Sequence, residues 1–210
     1  MDNLLYATLG WLFGLVGAML IEVNRTKRFV ISLRKALRFE LRETANRYVA
    51  VAFTIAMRIR AADQDFLNWF LRAQEQYDGP ARDEQIIEAA RMAAANPQQI
   101  DAASRARHLA DPKQSPSLKK YPTPALDKSV EHIADFTRRE QNLVLEIRTT
   151  ITMYEATVDD IRETFRVGFD SGLSEEAKNV IESNLLVLYI QALSFSRKTA
   201  DLCNRFVYQA

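Results

Sequence analysis

The side chains that most often carry out chemistry are few in this chain and poorly spaced for it. There are two histidines, His108 and His132, and one cysteine, Cys203. His108 follows the basic pair Arg105 and Arg107, and His132 follows Glu131 in an apolar-periodic stretch. Neither completes a Glu-x-x-His, His-Glu-x-x-His or Cys/His spacing that would gather ligands on one face. A di-metal bundle site needs two Glu-x-x-His units, so no metal site is expected. Cys203 has no histidine near it in sequence to take its proton and reads as a buried, inert thiol. The acidic pairs Asp159-Asp160 and Glu175-Glu176 are adjacent, and adjacent residues on a helix point in different directions, which does not build a paired acid and base. No Gly-rich phosphate loop and no Gly-x-Ser-x-Gly elbow occurs. The expectation is a protein with no catalytic residues and no cofactor.

What remains are residues suited to contact. Gly10, Gly14 and Gly17 form a G-x-x-x-G pair plus a third small position, the arrangement that lets membrane helices approach closely and self-associate. Arg25, Lys27, Arg28, Arg34 and Lys35 follow an apolar run and are candidates for anionic lipid contact. Lys113, Lys119, Lys120 and Tyr121 lie in a proline-rich stretch and form a candidate partner loop. With 28 Lys plus Arg against 27 Asp plus Glu, the net charge of +1 provides no field to draw in nucleic acid, which is not an expected partner.

The elements that must position these residues read as all-α. Leu4 to Ile21 is an uncharged, largely apolar run of a length near the minimum for crossing a bilayer. Basic residues follow it at once, so the positive-inside rule predicts a single-pass membrane protein, amino terminus outside and main domain cytoplasmic. From Arg25 to Ile59 no Gly or Pro interrupts, and apolar residues recur in steps of three or four, which predicts a long amphipathic helix continuous with the anchor. Tyr48 to Met57 is apolar on nearly every face and is expected to be buried among other helices, and Phe66, Trp69 and Phe70 are expected to fill the core.

Gly79-Pro80 and Asn96-Pro97 bound a short helix, with another expected over 98–109 and an extended linker from Asp111 to Pro124. From there to Val167 a three-four pattern predicts one continuous seam helix, with Thr137 and Glu140 as polar interruptions. Gly168 to Gly172 turns the chain, Ser174 caps, and a second seam helix runs through Phe206 antiparallel to the first. The resulting plan is a transmembrane anchor over 1–23, a basic stalk and first bundle helix over 24–78, short helices and a Pro-rich loop over 81–124, and an antiparallel hairpin over 125–210 that completes an elongated bundle. The leading functional expectation is a membrane-anchored helical scaffold that binds membrane lipids and a protein partner or its own copies. The rival is a membrane-active effector whose amino-terminal helices oligomerise and permeate the bilayer; a third reading, an enzyme with a pocket near Trp69 and the histidines, ranks last.

Overall fold

The computed structural model describes residues 2–80, 84–95, 118–168 and 173–209, with the side chains of 2–10 and 209 outside that description. The chain is all-helical, with six α-helices packed together. Helix α1 runs from Asp2 to Arg58 without a break, as expected where nothing between Asn24 and Arg58 lacks an amide hydrogen or a side chain. It ends in a Schellman closure: Ala61 N donates to Ala56 O at 2.8 Å, and Arg60 takes the left-handed conformation (φ 58°) usually given to glycine. Helix α2 (Gln64–Glu75) starts at Asp63, whose carboxylate accepts from Phe66 N at 2.8 Å, and α3 (Glu84–Ala95) follows the Gly79-Pro80 stop.

The expected single helix after Pro124 is in fact three pieces: α4 (Pro124–Glu131), a 3-10 turn (Ile133–Asp135) and α5 (Arg138–Gly168). Thr137 and Glu140 are therefore not seam residues. They form the capping box of α5, Glu140 accepting from Thr137 N at 2.8 Å and Thr137 Oγ1 accepting from Glu140 N at 3.3 Å. Helix α6 (Glu175–Gln209) begins with Ser174 Oγ accepting from Ala177 N at 3.2 Å, in the capping role its position predicts.

The long helices α1, α5 and α6 form the core. Arg34 meets Glu140 and Tyr48 meets Tyr154, so α1 and α5 run in the same direction. Arg58 lies over Tyr189 while Arg42 and Tyr208 line one small void, so α6 runs against α1. Lys198 reaches Glu146 at 2.9 Å, which closes the α5–α6 hairpin as antiparallel neighbours. Helix α2 folds back along α1 and α6: Gln74 donates to Asn46 at 3.0 Å, Phe53 packs on Phe70, and Trp69 Nε1 donates to Asp201 at 2.9 Å. Tyr48 to Met57 lies at the heart of this packing, as its composition predicts. Helix α4 is held at its amino end by Glu40, whose carboxylate accepts from Ala125 N and Leu126 N, both at 2.9 Å.

The expectation of a bilayer-spanning segment is overturned. Among the described residues, no helix is long and apolar enough to cross a membrane. The length that suggested an anchor belongs to α1 as a helix, and most of that helix is a charged, half-buried bundle element. The single-pass assignment, the outside amino terminus and the anchor over 1–23 fall with it. The predicted helix over 98–109, Lys113, His108 and most of the linker lie outside the described residues.

Candidate functional site

Helix α1 has two parts that differ in what covers them. From Val30 on, its inward positions Leu33, Leu37 and Leu41 are buried by the bundle. Before Val30, every described residue except Gly17 is exposed. This free length, residues 11–29, is an arm of roughly 30 Å at 1.5 Å per residue. Its composition is that of a core: Trp11, Phe13, Leu20 and Ile21 are 60% exposed or more.

Geometry orders this surface. Leu12, Val16, Met19, Val23 and Thr26 recur in steps of four and three and lead in the same steps to Val30, Leu33 and Leu37. The arm therefore carries, uncovered, the stripe that the bundle covers further along. Leu37 and Leu41 are 0% exposed, whereas Leu12, Val16, Met19 and Val23 are 52%, 48%, 67% and 43% exposed. The stripe is hard to see in sequence because residues 11–21 are apolar on all faces, which hides the period; only counting backwards from Val30 reveals it.

The residues singled out for contact separate into different environments. Gly14 and Gly17 lie on the arm, where among the described residues no atom beyond the helix's own nearby backbone comes within 4 Å of where a Cβ would stand, and the Gly10 side of the motif lies outside the described side chains. Arg25, Lys27 and Arg28 lie at the root of the arm, exposed. Arg34 does not join them: its guanidinium donates to Asp135 O at 3.2 Å and Glu140 Oε2 at 3.1 Å and lies over the Phe136 ring, so it serves the junction between α4 and α5. Lys35 is exposed on the bundle part of α1.

Of the candidate partner loop, Tyr121 packs edge-on against Tyr48 beneath the Arg47 guanidinium, Lys120 pairs with Asp159, and Lys119 is exposed. Residues 118–121 are thus fixed to the bundle, with Leu118 O accepting from Arg162 at 2.7 Å and Lys119 O from Tyr154 at 3.4 Å.

The chemistry-bearing side chains are placed for structure. His132 packs on Phe29 at 4.8 Å between ring centres and lies 3.6 Å from Asp135. Cys203 is fully buried, and burial with Glu40 nearby pushes its thiol far above the usual range, the opposite of an activated nucleophile. Among the described residues, no group of three or more His, Cys, Asp and Glu could hold a metal ion. An open groove of about 500 Å³ runs along α6, and most of its charged groups are engaged: Lys198 with Glu146, Asp201 with Trp69, and Arg197 over the Phe66 and Trp69 rings. No protein-family model, curated protein or solved structure matches the chain.

Proposed function

We propose that this protein is a helical interaction protein, in which the bundle of α1, α2, α5 and α6 is a rigid mount and the exposed arm of α1 is the binding element. The observation that supports this reading is the uncovered stripe Leu12, Val16, Met19 and Val23, continuous with the stripe that packs the bundle core. Large contiguous apolar patches are rare on monomeric proteins and mark surfaces that another molecule covers. A helix presenting apolar anchors at three-four spacing binds by laying that face against a complementary helix or groove. A photo-reactive amino acid placed at Leu12 or Met19 in the full chain should yield covalent adducts with a second polypeptide. Adducts formed only from a probe at Val187, on the far end of the molecule, would refute the assignment of the arm.

A further inference from the structure

Resting on the reading of the arm as the binding element, we infer that its occupant is a second copy of the same arm, paired antiparallel along Leu12, Val16, Met19 and Val23. Two observations lead there. The stripe alternates β-branched Val16 and Val23 with Leu12 and Met19, which are not β-branched, at the three-four spacing that lets two helices interlock knobs into holes. The large apolar side chains from Trp11 to Val23 leave on the order of 1,000 Å² of apolar surface per copy; covering half on each of two copies reaches roughly the ~1,000 Å² that a specific interface must clear.

The orientation follows from what lies at the root. From Phe29 onward this side of α1 is occupied by the chain's own turn between α4 and α5, where His132 meets Phe29 and Asp135 accepts from Arg34. A parallel second copy would run into that turn. It would also bring Arg25, Lys27 and Arg28 of the two arms together, whereas the antiparallel pair keeps the two basic roots apart at opposite ends.

The test uses the full chain in solution. Light scattering should give twice the chain mass, Val16→Asp and Met19→Asp should each weaken the dimer by about 100-fold or more, and Ile21→Asp, which removes equal apolar bulk from the other side of the helix, should leave it intact. Unchanged thermal unfolding of each variant's bundle verifies that folding is not the cause. Spin labels at Thr26→Cys should lie about 20 Å or more apart, because the two roots point away from each other. A monomer at tens of micromolar, a dimer that survives Val16→Asp, equal loss with Ile21→Asp, labels about 10 Å apart, or a monomer that floats with phospholipid vesicles each overturns the inference. A monomer whose arm still gives photo-adducts with another polypeptide would overturn the self-pairing alone and leave the arm as the binding element.

Discussion

Tyr48 is fully buried, edge-on to Tyr154 at 4.9 Å, and its hydroxyl has no hydrogen-bond partner among the described residues. A buried polar atom without a partner carries its desolvation cost uncompensated, so Tyr48→Phe should stabilise the protein by about 1 kcal/mol, measurable by urea unfolding. Burial also pushes the Tyr48 and Tyr154 hydroxyls far above the ordinary tyrosine value. In the unfolded chain these phenols ionise near the usual ~10, while in the folded protein they stay protonated. The unfolded state therefore binds fewer protons above that point, and stability, fully present below pH ~10, should fall as the pH rises beyond it. Tyr48→Phe should flatten that fall; an unchanged slope would refute the account.

A second residue-scale prediction concerns Gly79, where a Cβ would collide with the Tyr77 hydroxyl and ring edge. That hydroxyl donates to the Glu43 carboxylate at 2.9 Å, so Gly79→Ala must displace the ring and the bond together, and a loss of about 1–3 kcal/mol should appear in the unfolding midpoint. Residue types alone placed Cys203 and the ring cluster of Phe66 and Phe70 in the core, because burial follows side-chain chemistry. They did not disclose that Arg34 belongs to a junction, since an arginine beside a lysine in sequence carries no mark of the carboxylate that folding brings to it.

At the scale of elements, the start of α5 is held by the reciprocal bonds of Thr137 and Glu140 and by Arg34 reaching across from α1. Glu140→Ala removes the cap and leaves Arg34 with less to pair with, and a cost of about 1–2 kcal/mol is expected. Glu140→Gln should recover part of it, since an amide oxygen still accepts from the Thr137 amide. An equal loss in both variants would assign the effect to the charge rather than the cap.

The same residues explain why this break was not legible as a break. The three-four apolar period runs on through Val130, Ile133 and Phe165, and a period reports which residues face inward but is silent on a turn that preserves facing. The signature of the cap, Thr-x-x-Glu, was present but sat on positions that the period had already claimed. The helix start at Ser174 was easier to place, because the cap there follows a glycine-bounded turn.

Across the whole molecule, α1 divides into a length that stabilises the fold and a length that does not. Leu37→Ala, in the bundle, should cost about 2–5 kcal/mol, whereas Val16→Ala, in the arm, should leave the bundle's unfolding midpoint in place at low protein concentration. Equal effects would mean that the arm folds back onto the bundle. The helical architecture and the antiparallel closure of α5 on α6 were readable from periodicity and a short turn. The fate of the apolar amino-terminal run was not, because local hydrophobicity is the same signal whether a bilayer, a core or another chain is to cover it. The structure decides against a spanning helix among the described residues and leaves the arm projecting beyond its bundle.

The pairing of α1 with α6 joins residues near opposite ends of the sequence, as where Arg58 lies over Tyr189. During synthesis, Leu37, Leu41, Tyr48 and Ile55 are made more than 100 residues before α6, which helps to cover them. The nascent chain must carry this part of its apolar face unshielded until α6 has left the ribosome, a period in which it is a target for holdase chaperones and for aggregation.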